Sequence, residues 1–61
     1  MKPKVKLTGT DGNVFTLAGK VSRALKTAGQ PEKAKEFNSR LFACASYDAA
    51  LQLMMEYVEV N

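Results

Sequence analysis

The stretch NVFTLAGKVSRALKTAG, residues 13–29, decides the fold because its apolar residues recur at helical spacing and a residue suited to capping a helix stands at each end. Asn13 is a predicted N-cap, and Gly29 stands where a left-handed C-terminal cap is expected. Gly19 lies inside the predicted helix at a cost of about 1 kcal/mol relative to alanine, which suggests the close approach of another backbone or side chain. The apolar positions follow the i, i+3, i+4, i+7 pattern of an amphipathic helix: Val14, Leu17, Ala18, Val21, Ala24, Leu25 and Ala28.

A short strand is predicted ahead of this helix. Apolar and polar residues alternate from Lys4 to Thr8, with Val5 and Leu7 on the inward face. The strand ends at a predicted turn over residues 9–13, where an Asp-Gly pair is a strong turn signal. A hairpin from this turn into residues 14–17 is an alternative, but the helical spacing favours the helix.

A second helix is predicted over residues 30–45. Pro31 suits the first helical position, and Glu32 and Glu36 lie near the positive end of the helix dipole, which is sufficient to explain both carboxylates. The predicted apolar stripe contains Ala34, Phe37, Leu41 and Ala45, and is widened by Phe42 and Cys44.

A third helix and a final strand complete the predicted chain. Ser46 is a candidate N-cap for the helix. The alternation from Tyr57 to Val60 then predicts a strand with Val58 and Val60 facing inward and Glu59 facing outward. The apolar face of the helix is predicted to contain Ala50, Leu51, Met54 and Val58.

These elements predict an α+β fold, with residues 1–61 forming a single small domain of order β-α-α-α-β. Pairing the two terminal strands would match apolar residues to each other and place Lys4 and Lys6 near Glu59, whichever the sense of the pairing. Helices would cover one face of this small sheet. The two open sheet edges, in so small a domain, favour a homodimer.

The composition excludes several classes of chemistry. The 61 residues include no histidine and only one cysteine, Cys44, so an intrachain disulfide is impossible and a zinc site lacks ligands. Because histidine is the commonest general base, and Cys44 lies among apolar residues, we expect a small core thiol, no cofactor and no enzyme. No apolar run approaches the about 20 residues that span a bilayer. The expected location is the cytoplasm.

Two sets of residues are candidates for binding. Lys20, Arg23 and Lys26 form a basic helical face in a chain of net charge +3 and, with Gly12 and Asn13 at the turn, could contact an anion or nucleic acid. A solvated helix face is the more ordinary interpretation of these charges. The candidate interface with a second copy or another protein contains Phe15 and Phe42, which lie off the main stripes, together with Gly19 and Tyr57.

The whole chain resembles a group of short proteins encoded in phages, prophages and plasmids. The resemblance implies an accessory protein of a mobile element that acts inside a bacterial cell by stoichiometric binding, for example by blocking a host or anti-phage defence protein. It implies no site residues, and residues 30–46 match least. The matching positions are Val5-Lys6-Leu7, Gly9, Asp11-Gly12-Asn13, Gly19, Val21, Ala24-Leu25, Ala28-Gly29, Tyr47-Asp48 and Met55-Glu56-Tyr57-Val58-Glu59-Val60.

Overall fold

The structure, a computed structural model, describes residues 2–6 and 13–60. The predicted order β-α-α-α-β is confirmed. Leu7 and most of the predicted turn, including Gly12, lie outside the described residues. The elements are β1 (Lys4–Val5), α1 (Val14–Thr27), α2 (Pro31–Leu41), α3 (Tyr47–Tyr57) and β2 (Glu59–Val60).

Helix α1 begins and ends where its sequence predicts. The side chain of Asn13 accepts a hydrogen bond from the Phe15 backbone N–H at 2.8 Å, which satisfies one of the free donors of the first turn. At the other end Gly29 has a φ of 79°. Its N–H donates to the Lys26 carbonyl, and the Gln30 N–H donates to the Leu25 carbonyl. This pair of bonds is a Schellman motif, which stops the helix and turns the chain toward α2.

Helix α2 ends at Leu41, so the prediction that it continues to Ala45 is wrong. The amides of Ala43 and Cys44 instead bond three residues back, to the carbonyls of Arg40 and Leu41, both at 3.0 Å. Such tight turns commonly close an α-helix. Ala45 is consequently exposed.

Helix α3 starts at the predicted cap. Ser46 has an extended backbone, with φ −150° and ψ 165°. Its hydroxyl accepts a hydrogen bond from the Ala49 N–H at 3.1 Å, as expected of an N-cap. The extended cap turns the chain after the short loop, so that α3 packs against both α1 and α2.

The core lies between the three helices and under β1. Helix α3 buries more than its predicted stripe, because Leu53 and Tyr57 are buried together with Ala50 and Met54. A helix that contacts two other helices needs a wide apolar face. The main cluster contains Val5, Leu17, Ala18, Val21, Leu25, Ala34, Phe37, Leu53, Met54, Tyr57 and Val58.

The terminal strands pair in parallel, with Lys4 opposite Glu59 and Val5 opposite Val60. The three helices serve as the crossover that a parallel pair requires. Helix α1 contacts β1, whereas β2 contacts only β1 and α3 among the described elements. Val58, just before β2, is buried, but Val60 within the strand is 40% exposed. The prediction that both side chains face inward is therefore wrong for Val60.

Candidate binding surfaces

Three exposed aromatic rings lie together where the ends of the helices meet. Phe15 in the first turn of α1 is 69% exposed, Phe42 just after α2 is 82% exposed, and Tyr47 at the start of α3 is 45% exposed. They line one groove with Leu41, and its volume is about 320 Å³. We call Phe15, Leu41, Phe42 and Tyr47 the aromatic surface. The sequence predicted that Phe15 and Phe42 would lie off the core, and Tyr47 was not singled out.

A second groove extends the aromatic surface between α1 and α2. Phe15, Gly19 and Lys26 follow one face of α1, and Phe42 lines the α2 side. A Cβ added to Gly19 would meet no atom within 4 Å among the described residues. The predicted close approach to Gly19 is therefore wrong within one chain, and the glycine instead leaves this groove open.

Tyr57, predicted at the interface, lies in the core at 7% exposure. Its ring meets Phe37 edge to face, with the ring centres 5.5 Å apart. Its hydroxyl is partly buried between α2 and α3, where it donates to Glu36 and accepts from Arg40 at 3.2 Å. Arg40 also pairs with Glu56 at 3.2 Å. Tyr57 thus links α3 to α2, and we leave it out of the aromatic surface.

Sequence reasoning missed this tyrosine network, which consists of Glu36, Arg40, Glu56 and Tyr57. The available signal was weak: Glu36 and Arg40 stand four residues apart and so share a face of α2. The helix dipole alone accounts for a glutamate at position 36. Nothing in the sequence shows that α3 places Tyr57 beside it. The side-chain hydrogen bonds of this network join α2 to α3 at the edge of their contact.

Two pKa values in the network are shifted. Burial raises the pKa of the Tyr57 hydroxyl, and its hydrogen bond to Glu36 raises it further, while Arg40 has the opposite effect. The pKa of the Arg40 guanidinium is raised, mainly by its hydrogen bonds to Tyr57 and Glu56. At neutral pH the network therefore contains a neutral tyrosine between a cation and carboxylates.

We expect Tyr57 to ionise at a higher pH than an ordinary tyrosine, whose pKa is about 10. The variant Tyr47→Phe retains Tyr57 as its only tyrosine, so near-ultraviolet absorbance at increasing pH reports this group alone. Because the pKa of Tyr57 is raised in the folded state, the neutral hydroxyl contributes to the free energy of unfolding. This contribution is complete at pH values below the pKa of Tyr57 in the unfolded chain. It is lost as the pH rises through the folded-state value.

The neighbours of Tyr57 supply the controls for this titration. Adding Glu36→Gln should lower the midpoint, and adding Arg40→Met should raise it. Circular dichroism at each pH separates ionisation in the folded state from unfolding. A folded protein that titrates at the ordinary value would contradict the burial of this hydroxyl.

The structure divides the predicted anion-binding residues. Lys20 and Arg23 lie together with Lys4 of β1 and with Lys6, just after this strand, along a groove of about 500 Å³, the basic groove. Lys26 lines the other groove, beside the aromatic surface, and Arg23 lines both grooves. Asn13 caps the N-terminus of α1, about 10 Å along the helix from Lys20.

Cys44 has the predicted role of a small residue packed against the core, but in the turn after α2 rather than in a helix. It is half-buried, and its thiol lies 3.6 Å from the Arg40 carbonyl.

Within residues 2–6 and 13–60, no group of three or more histidine, cysteine, aspartate or glutamate side chains could hold a metal ion. No helix in the same residues is long and apolar enough to cross a bilayer.

Comparisons of the chain with protein-family models, with curated proteins and with solved structures found no match.

Proposed function

We propose that this protein is a non-catalytic binding module that acts by stoichiometric contact with protein, and that the aromatic surface makes the contact. The observation that carries the proposal is the exposure of Phe15 and Phe42 on either side of one groove. Fully burying one such side chain contributes about 1.5 to 3 kcal/mol. Aromatic residues in a pocket are also the usual energetic centres of protein interfaces.

The first occupant that we propose for the aromatic surface is a second copy of the chain. A domain of this size gains only about 3 to 5 kcal/mol from one core. The chain has one cysteine, and the described residues contain no metal cluster to add to this stability. A two-fold axis through the surface would place Phe15 and Phe42 of each copy against the other, and would bury four phenylalanine side chains at once.

The test is the solution mass of the protein over a dilution series, by sedimentation or light scattering. We expect a dimer, and we expect Phe15→Ser with Phe42→Ser to give a folded monomer because both side chains are exposed. The matched control is Met55→Ser with Val60→Ser, which removes two exposed apolar side chains away from the aromatic surface. This control should remain dimeric.

Two results would contradict the homodimer. One is a monomer at every concentration of the unaltered protein. The other is a dimer that survives the substitutions at Phe15 and Phe42 but not those at Met55 and Val60. The second result would place the contact at the β2 edge, where strand addition could join two copies.

We further propose that the protein is an accessory protein of a mobile element that acts inside a bacterial cell and inhibits a host or anti-phage defence protein. The resemblance of the chain to proteins of phages, prophages and plasmids supports this setting. If it is right, expression in strains that carry single defence systems should restore phage plating for one of them. The Phe15→Ser, Phe42→Ser variant should lose the effect and the Met55→Ser, Val60→Ser control should keep it.

A further inference from the structure

We propose that the basic groove holds the phosphodiester backbone of duplex DNA. Lys4 and Lys6 lie on one side of the groove and Lys20 and Arg23 on the other. The two pairs are distant in sequence, and the contact between β1 and α1 brings them together. Four cations therefore line about 500 Å³ of open space, a much denser arrangement than the basic face of α1 alone.

The lining of the groove has the charge pattern of a phosphate site. Among the described residues its other members are small or apolar, and none of them is acidic: Pro3, Val5, Ala24, Thr27 and Ala28. In the register of the two strands, the carboxylate of Glu59 lies opposite Lys4. Lys4 is therefore partly compensated, while Lys6, Lys20 and Arg23 carry most of the attraction for an anion.

The lining also indicates which polyanion fits. Single-stranded nucleic acid is usually held by aromatic side chains that stack on its bases, and none of the described residues that line the groove is aromatic. A groove with cations and no stacking platform is suited to the backbone of a duplex, whose charge density is the main source of sequence-independent affinity. An anionic membrane is a poorer fit, because its binding usually adds inserted apolar side chains, and Val5 at this groove is buried.

This site shares no residue with the aromatic surface, and it shares Arg23 with the groove beside that surface. Lys20, Ala24 and Thr27 lie on one face of α1, and Phe15 and Gly19 lie on another. Arg23 lies between these faces and lines both grooves. Substitutions at the two phenylalanines should leave DNA binding by each chain unchanged. Substitutions at Lys4, Lys6 or Lys20, which line the basic groove and not the groove beside the aromatic surface, should leave the solution mass unchanged.

The experiment is fluorescence anisotropy of a labelled DNA duplex, titrated with the full chain at several salt concentrations. With three to four phosphate contacts, the affinity should fall roughly 40- to 150-fold between about 50 mM and about 200 mM salt. Lys20→Gln with Arg23→Gln should weaken binding roughly 10- to 100-fold at the lower salt and reduce the slope of log K against log salt by about 2.

The matched control is Lys33→Gln with Lys35→Gln, which makes the same change in net charge on α2, where both side chains are exposed. It should bind nearly as well as the unaltered chain. Glu59→Gln removes the carboxylate opposite Lys4 and should strengthen binding about 2- to 4-fold.

Four results would overturn the proposal. They are no binding of the duplex at low salt, equal losses in the two double variants, tighter binding of a single strand than of the duplex, and binding of phosphatidylserine vesicles without binding of the duplex. Equal losses would mean that net charge alone attracts the DNA. Circular dichroism of each variant confirms that a loss of binding is not a loss of fold.

Discussion

Phe37→Ala should remove most or all of the stability of the folded domain. Phe37 is 0% exposed at the centre of the core, and its ring packs edge to face on Tyr57. Truncating a buried phenylalanine costs about 3 to 5 kcal/mol, through lost burial and the cavity that remains. One small core supplies about the same amount. Urea unfolding followed by far-ultraviolet circular dichroism should show little or no folded baseline for this variant.

Phe42→Ala is the matched control, because it makes the same chemical change at a side chain that is 82% exposed. Its effect on the free energy of unfolding of one chain should be within about 0.5 kcal/mol. If Phe42 is covered in a dimer, the variant will also lose stability by mass action, and that loss will fade on dilution. Equal and concentration-independent losses for Phe37→Ala and Phe42→Ala would contradict a packing of α2 that buries Phe37 and exposes Phe42.

The fold could be predicted because its main signals are local. The period of apolar residues in α1, its caps at Asn13 and Gly29, and the cap at Ser46 all concern neighbours along the chain. The end of α2 was missed because apolar residues continue past Leu41, so periodicity alone extends the helix. The turn there is defined by backbone hydrogen bonds, and none of its residues carries a strong turn signal.

The sequence predicts which residues of the binding surfaces are exposed, but it does not predict that these residues lie together. The exposure of Phe15 and Phe42 follows from their positions off the apolar stripes, but their proximity depends on how α1 packs on α2. Lys20 and Arg23 share a helix face by spacing alone. They lie beside Lys4 and Lys6 only because β1 packs against α1, which is a contact between residues distant in sequence. The burial of Tyr57 was missed for the same reason, since its neighbours Phe37 and Glu36 are remote in sequence.

The same substitution at two glycines should change stability in opposite directions. Gly29 has a φ of 79°, where any L side chain is strained, so Gly29→Ala should cost about 1 to 2 kcal/mol. Gly19 lies within α1, and a Cβ there has nothing within 4 Å. Gly19→Ala should therefore stabilise one chain by about 0.5 to 1 kcal/mol, since alanine is the better helix former. Urea midpoints at constant slope measure both changes.

Gly19→Ala also tests what approaches the groove beside the aromatic surface. Gly19 lines this groove with Phe15 and Phe42, and its lack of a side chain would let another backbone come close. If a second copy packs there, the added methyl group will weaken the dimer while it stabilises each monomer. The urea midpoint will then rise in dilute protein and fall in concentrated protein. A midpoint that rises equally at all concentrations would mean that Gly19 lies outside the dimer contact, which would then centre on the side of Phe42 that faces Tyr47.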